Sequence, residues 1–224
     1  GVALLAGGGY GRGQLCPHSD LDLVLLHAGR RDVGSVAERI WYPIWDEGFS
    51  LDHSVRTVKE ALDVAGRDIK VLLGLLDARL IEGDEMLARS TVDGARRLWA
   101  KRSAQWLALV AAEVADRRHR FGEVAFLLEP DIKEGYGGLR DAAALRAASL
   151  AGVVAPLEDA VAEATELLLS VRVELHRRVA RASDRLTLEQ QDGVAAALGT
   201  DADGLMAAVA SSARSIAWAS DEVW

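Results

Sequence analysis

The feature that most constrains this chain is a run of glycines followed, after a short polar loop, by two aspartates. Residues 7–12 read Gly-Gly-Gly-Tyr-Gly-Arg, and residues 19–22 read Ser-Asp-Leu-Asp. The apolar residues 2–6 end at the glycines, which predicts a buried strand or helix edge that runs into a turn. Glycines at such a turn allow the backbone to approach a neighbouring group closely, and a phosphate is the candidate for that group.

Asp20 and Asp22 stand at the head of an apolar run, residues 23–26, that predicts a strand. Residues two apart on a strand point to the same face, so both carboxylates leave one face of the sheet. Neighbouring carboxylates repel each other, and a divalent cation between them allows both to stay ionised. Oxygen ligands and substrate phosphates suit Mg²⁺ or Mn²⁺, and a pair of such ions holds both the attacking and the leaving oxygen of a phosphoryl displacement.

Each pattern by itself also fits a structure without chemistry, because glycines occur in ordinary turns and a strand often begins with a solvated aspartate. The two patterns together, in this order, resemble the nucleotidyltransferase fold typified by DNA polymerase β. Residues 8–15 and 17–23 more specifically resemble the bacterial PII uridylyltransferase/uridylyl-removing family. Residues 53–57, which read His-Ser-Val-Arg-Thr, and the glycine-rich stretch 129–141 match that family in the same order.

The resemblance implies a mixed α/β fold, with a polymerase-β-like nucleotidyltransferase domain over residues 1–95. An all-α helical domain over residues 96–224 would complete the substrate cleft. The implied reaction moves UMP from UTP to a tyrosine hydroxyl of the PII nitrogen-signalling protein and releases pyrophosphate. The implied cofactor is Mg²⁺ or Mn²⁺, and the implied partners are UTP and a PII-type protein.

The resemblance also assigns the residues of this site. Asp20 and Asp22 would be the catalytic residues and would hold the metal. The backbone at Gly8 and Gly9 would approach the nucleotide phosphates. Further nucleotide contacts are expected from four side chains: Arg12, Ser19, Lys133 and Arg140. No residue is identified as the general base, although an aspartate of the metal site would serve.

A third carboxylate is expected near the metal, as in polymerase-β-like enzymes, and its identity is open at this point. Asp52 is the nearest candidate, on a strand predicted over residues 49–55, but the closer family has glycine at that position. Asp68 and Asp77 are the alternatives, and both lie in a segment, residues 58–80, that is predicted to be helical. The resemblance puts His53 and Arg56 at the edge of the active site. A histidine buried in the core and an arginine on the surface are equally open interpretations.

Several other elements are predicted from local patterns. A helix that contains Trp41 and Trp45 should pack on the sheet, with both tryptophans in the core. In the C-terminal half, apolar residues from Leu157 to Leu175 recur at helical spacing and predict one long amphipathic helix. The basic run at residues 116–120 is interpreted as a solvated helix end, and the stretch 129–141 as a structured loop.

Composition narrows the class of protein. The formal net charge of -8 argues against a nucleic-acid partner, because phosphate backbones bind clustered Lys and Arg. The single cysteine excludes an internal disulfide, and no apolar stretch reaches the roughly 20 residues of a membrane span, so we expect a cytoplasmic protein that uses no membrane. The resemblance implies that full-length relatives carry a metal-dependent His-Asp phosphohydrolase domain, which removes the nucleotide. The chain has no adjacent His-Asp pair, so we expect a fragment or a stand-alone transferase that lacks this domain.

Two alternatives to UTP-dependent transfer are open. ATP would be the donor if the chain is similar to the actinobacterial relatives that adenylylate PII, and a composition rich in alanine and arginine is typical of their high-GC genomes. A non-catalytic nucleotide-binding regulatory module is the second alternative. The Asp20 and Asp22 pair favours an enzyme over such a module.

Overall fold

The structure is a computed structural model that describes residues 1–152, 154–155 and 158–224. The chain divides into two compact units, Gly1–Ser103 and Ala104–Trp224. The first unit is built on a four-stranded sheet with helices, and the second on helices. The predicted mixed α/β composition is therefore confirmed.

The sheet of the first unit brings the two conspicuous motifs together. Its strands are β1 (Val2–Ala6), β2 (Leu21–His27), β3 (Leu51–Arg56) and β4 (Arg79–Gly83). Their order across the sheet is β3-β2-β1-β4, in which β1 is antiparallel to both neighbours and β2 is parallel to β3. Because β1 and β2 are antiparallel neighbours, the glycines after β1 lie beside the aspartates at the start of β2.

Helices cover both faces of this sheet. They are α1 (Gly8–Gly11), α2 (Val33–Asp46), α3 (Val58–Ala65), α4 (Ile69–Leu76) and α5 (Glu85–Lys101). On one face, α2 buries Ala37 and Trp41 against Leu23 and Leu25 of β2. On the other, α3, α4 and α5 pack together, and α5 also packs on β1. The domain boundary expected after residue 95 falls within α5, whereas the compact unit continues to Ser103.

The prediction of one helix over residues 58–80 is wrong. The backbone leaves the helix at Gly66, and α4 begins after Asp68, whose Oδ1 accepts hydrogen bonds from the N–H groups of Lys70 at 2.8 Å and Val71 at 3.4 Å. Such an N-cap starts a new helix. Residues 79–83 then pair with β1 as an edge strand, because pairing with an available strand outweighs local helical preference.

The two tryptophans of α2 are predicted to lie in the core, and the structure confirms this for Trp41 but not for Trp45. Trp41 is 4% exposed, but Trp45 is 42% exposed. The ring of His53 on β3 lies 5.1 Å from Trp41 and 5.3 Å from Trp45, measured between centroids. Trp45 thus contacts His53 of the sheet and leaves much of its surface in solvent.

The second unit consists of helices around one apolar core. They are α6 (Ser103–Phe121), a 3₁₀ turn (Val124–Phe126), α7 (Leu139–Leu150), α8 (Asp159–Val179), α9 (Leu188–Ala197) and α10 (Ala202–Val223). The long amphipathic helix is confirmed as α8, which buries Val161, Ala164, Leu168, Val171 and Leu175. Leu157, the first residue of that predicted stripe, lies outside the described residues.

No single helix among the described residues is long and apolar enough to cross a membrane. One bent pair, α9 with α10, would meet that test by length and composition only.

Candidate active site

Asp22 and Gly8 form the centre of the candidate site. The N–H of Gly7 donates to the carbonyl oxygen of Asp22 at 2.8 Å, which continues the ladder between β1 and β2 by one residue. Gly8 then turns away with φ of +50°. A Cβ atom at Gly8 would lie 2.1 Å from Asp22 Oδ2, so a larger residue would require this carboxylate to move, and the positive φ also favours glycine.

Asp52 lies beside Asp22 on the neighbouring strand. The two residues are direct partners in the parallel pairing of β2 and β3. Partners in a parallel pair share a face, so both carboxylates leave the sheet on the same side. Leu51 and Val55 pack towards α2 on the opposite side, and His53 contacts the tryptophans there. The sheet therefore separates His53 from the carboxylates.

Asp20 and Ser19 belong to the loop that precedes β2. The strand begins at Leu21, so Asp20 lies just before it and is exposed, whereas Ser19 is half-buried. The N–H of Ser19 donates to the carbonyl oxygen of Cys16 at 3.1 Å, which closes a turn. Gly9 is joined to the same loop, because its carbonyl oxygen accepts the N–H of Gln14 at 2.8 Å.

Arg12 extends from the glycine turn and is held by two side chains. Its Nε donates to Gln14 Oε1 at 2.8 Å, and its Nη1 lies 3.4 Å from Asp77 Oδ2. Two candidates for the third carboxylate therefore have other partners, since Asp68 caps α4 and Asp77 pairs with Arg12. Across the described residues, no group of three or more His, Cys, Asp or Glu side chains is placed to hold a metal.

The glycine-rich stretch 129–141, which is predicted to be a structured loop, is an ordered loop of the second unit over residues 129–138, whereas its last three residues begin α7. The N–H of Ile132 donates to the carbonyl oxygen of Asp184, and the N–H of Leu186 to that of Pro130, both at 2.9 Å. Gly137, with φ of +82°, is packed so tightly that a Cβ would lie 2.4 Å from the carbonyl oxygen of Ala213. Backbone packing explains this glycine without a ligand.

The two predicted nucleotide contacts on this loop are paired with carboxylates of the same unit. Lys133 Nζ lies 3.3 Å from Asp184 Oδ2, and Arg140 Nε donates to Glu134 Oε1 at 3.0 Å. Both side chains keep part of their surface in solvent, with 30% of Lys133 and 55% of Arg140 exposed. The nucleotide contact assigned to each of them stays a prediction.

Asp184 joins Lys133 to a buried arginine. Arg172 Nε donates to Asp184 Oδ1 at 2.6 Å, and the buried His176 accepts the N–H of Ser183 at 3.2 Å. Burial alone would raise the pKa of Asp184, but the hydrogen bonds and charges of Arg172 and Lys133 together hold the pKa below its ordinary value.

The lowered pKa of Asp184 predicts a loss of stability in acid. A carboxylate with a lowered folded-state pKa contributes stability above its unfolded pKa of about 3.9, and this contribution is lost as the pH falls through the folded-state value. Urea denaturation across the acid range should therefore show that the wild-type protein loses more stability than Asp184→Asn. The exposed Asp192→Asn variant is the control and should parallel the wild type. Parallel curves for Asp184→Asn would contradict the assignment.

The interpretation of residues 116–120 as a solvated helix end is wrong for Arg117. Its side chain is 11% exposed, and its Nη2 donates to the carboxylate of Asp141, which is 1% exposed. Asp141 Oδ2 also accepts the N–H of Gly137 at 2.8 Å. Burial raises the pKa of Asp141 although Arg117 and this N–H oppose the shift. The pair connects α6 to the glycine-rich loop and the start of α7.

Sequence reasoning missed the buried charges of the second unit. Arg172 and His176 follow Leu168 at intervals of four residues, so they lie on the buried stripe of α8. A charged residue on such a stripe requires a partner, and that signal was available in the sequence. The partner itself, Asp184, lies in the loop after α8 and carries no local signal of its own.

Comparison with protein families gives a match that lies within the second unit of the chain. A family model described as GlnD PII-uridylyltransferase matches residues 107–224, which is more than half of the sequence. The chain belongs to the GlnD PII-uridylyltransferase family. The matched region lies in the helical unit, and the glycine turn and Asp22 lie outside it.

Curated relatives extend the similarity to the first unit. A bifunctional uridylyltransferase/uridylyl-removing enzyme of Streptomyces coelicolor is 50% identical over 100% of this chain. Proteins of the same name from Mycobacterium tuberculosis and Pseudomonas putida are 42% and 35% identical, each over 89% of the chain. The GlnD-family chain described here spans about a quarter of the length of these relatives, between 24% and 27%.

Proposed function

We propose that this chain carries the nucleotidyltransferase activity of its family and transfers UMP from UTP to a tyrosine hydroxyl of a PII-type protein. The observation that carries the proposal is the contact between Gly8 and the carboxylate of Asp22, with Asp52 as the lateral neighbour of Asp22. The relatives are named uridylyltransferases, which supports a uridylyl donor. The proposed fold of the first unit is that of the polymerase-β-like nucleotidyltransferases.

The side chains at this site suit Mg²⁺ or Mn²⁺. Asp22 and Asp52 share a face of the sheet, and Asp20 precedes Asp22 by two residues. Mg²⁺ is usually held by one or two carboxylates together with substrate phosphates, so a cage of three protein ligands is not required. Asp20 and Asp22 would hold the ion, with Asp52 as the candidate third ligand. A bound ion would neutralise charge that develops on the transferred phosphoryl group.

The chain's own residues would bind and orient the donor. The backbone at Gly8 and Gly9 would contact the triphosphate beside Asp22, because glycine has no side chain that would keep a phosphate away from the backbone. Arg12 and Ser19 both lie in the connection between β1 and β2 and would contact phosphate oxygens. One aspartate of the site would accept the proton of the acceptor hydroxyl. Lys133 and Arg140 are proposed as further contacts.

Mass spectrometry of the acceptor tests the proposal directly. The protein is incubated with a PII-type protein, Mg²⁺ or Mn²⁺, and each of the nucleoside triphosphates in turn. The proposal expects a mass gain of one uridylyl group with UTP. A gain of one adenylyl group with ATP would show that ATP, and not UTP, is the donor. Nucleotide binding without any gain would contradict transfer and support a regulatory module.

Gly8→Ala should lower transfer by about 100-fold or more, because a Cβ at residue 8 would push the Asp22 carboxylate out of its position. A misplacement of about 1 Å at a reacting centre is enough for a rate loss of this size. Gly13→Ala is the matched control. Gly13 also has a positive φ, of +73°, but nothing lies within 4 Å of its added Cβ. Both variants carry similar backbone strain, so a rate loss in Gly8→Ala alone reports the contact with Asp22. Equal losses in the two variants would contradict this role.

A further inference from the structure

Asp77 lies at the C-terminal end of α4, directly against the glycine turn. Its carbonyl oxygen would lie 2.6 Å from a Cβ added at Gly11, so the two backbones are in contact. Two residues later, the guanidinium carbon of Arg79 lies 5.6 Å from the centroid of the Tyr10 ring. The segment from Asp77 to Arg79 therefore contacts the turn at two points. A shift of this segment would move the glycine turn as well.

The side chain of Asp77 makes a more specific contact, with Arg12. Asp77 Oδ2 lies 3.4 Å from Arg12 Nη1, and only 11% of the Asp77 side chain and 21% of the Arg12 side chain are exposed. Gln14 Oε1 accepts from Arg12 Nε at 2.8 Å. A guanidinium has five N–H donors in a rigid plane, so two contacts on its edge orient the plane and leave donors for an anion.

We infer that Asp77 is a positioning residue that holds the Arg12 guanidinium beside the glycine turn, where it binds the phosphates of the nucleotide donor. This inference rests on the proposed function. It gives Asp77 a role that differs from that of a metal ligand. An aspartate paired with arginine already has its charge compensated, whereas a metal ligand needs its carboxylate for the ion.

Kinetics of four proteins test this role: wild type, Asp77→Ala, Arg12→Ala and the double variant. The assay measures transfer from labelled nucleoside triphosphate to the PII-type acceptor. Asp77→Ala should raise the KM for the nucleotide by about tenfold and change kcat by less than about twofold. In the Arg12→Ala background, Asp77→Ala should have no further effect, because the two residues act through one contact. Asp77→Asn, which keeps an acceptor oxygen, should lie between Asp77→Ala and the wild type.

A control separates positioning from general damage to the fold. Asp84 caps α5 in the same unit through the N–H groups of Met86 and Leu87 and has no contact with the turn among the hydrogen bonds of the described residues. Asp84→Ala removes a helix cap, so it should lower thermal stability and leave the nucleotide KM within about twofold. A KM increase of similar size in Asp84→Ala would overturn the inference.

Other outcomes overturn the inference or the proposed function separately. A fall in kcat for Asp77→Ala, with a higher Mg²⁺ requirement, would make Asp77 a metal ligand and overturn the positioning role. Additive losses in the double variant would do the same. If the wild type transfers nothing, the proposed function fails, and nucleotide binding is measured by calorimetry with Mg²⁺ and UTP or ATP. The inference then still expects weaker and non-additive binding in the same variants, and unchanged or absent binding would overturn it.

Discussion

Replacement of Asp22 by asparagine is expected to lower nucleotidyl transfer by about 1,000-fold or more and to leave the fold unchanged. Asparagine has nearly the same shape, so the contact with Gly8 and the pairing of β2 are kept. The variant loses a negative charge where a divalent cation would be held, and metal-ion catalysis contributes several kcal/mol to such reactions. Transfer is measured with labelled nucleotide at several Mg²⁺ and Mn²⁺ concentrations.

The control for this variant is Asp63→Asn. Asp63 is an exposed residue of α3, so its replacement should leave transfer within about twofold of the wild type. Asp52→Asn addresses the third carboxylate, and a loss of about 10- to 100-fold is expected if Asp52 supports the metal. An Asp22→Asn variant that retains transfer within about tenfold, with unchanged metal dependence, would refute the assignment of the site.

Replacement of Arg117 by leucine is expected to destabilise the second unit by about 3–5 kcal/mol, because it leaves the buried carboxylate of Asp141 without its charge partner. The loss should grow with pH. Without Arg117, the pKa of Asp141 rises further above its unfolded value, so the folded state binds a proton that the unfolded state releases. Stability then falls as the pH rises through this window. Urea denaturation at mildly acidic and neutral pH measures both effects.

Two further variants give this prediction a control and a rescue. Arg120 lies on the same helix and pairs with Asp116 at 2.8 Å, but both side chains are exposed, so Arg120→Leu should cost less than about 1 kcal/mol. The double variant Arg117→Leu/Asp141→Leu removes both buried charges and should recover most of the lost stability. A cost below about 1 kcal/mol for Arg117→Leu, or no recovery in the double variant, would show that the pair is not a stabilising contact of the buried interior.

The candidate site of the first unit could be predicted largely from sequence because its parts are close along the chain. One turn and one loop separate β1 from β2, and antiparallel pairing of the two strands suffices to bring Gly8 against Asp22. Successive residues of a strand point to opposite faces, which is sufficient to place Asp52 opposite Leu51, as the structure has it. Helical spacing was equally sufficient for α8.

Predictions failed where a distant element decided the outcome. Residues 79 and 80 belong to the segment predicted to be helical, yet they begin β4 because the edge of β1 is available to pair with them. Trp45 lies on the predicted apolar stripe, but it is only partly covered and stays 42% exposed. Local periodicity reports which face of an element is apolar, and it does not report how much of that face a neighbour covers.

The sequence by itself determined the fold class, the glycine turn with its aspartates, and the family resemblance, because short-range spacing and residue type encode strands, turns and amphipathic helices. Only the tertiary structure decided which charges meet. Arg12 and Asp77 are 65 residues apart, and Arg117 and Asp141 are 24 apart. Burial makes such pairs obligatory, since an isolated charge in the interior is costly, but the choice of partner depends on how the helices pack.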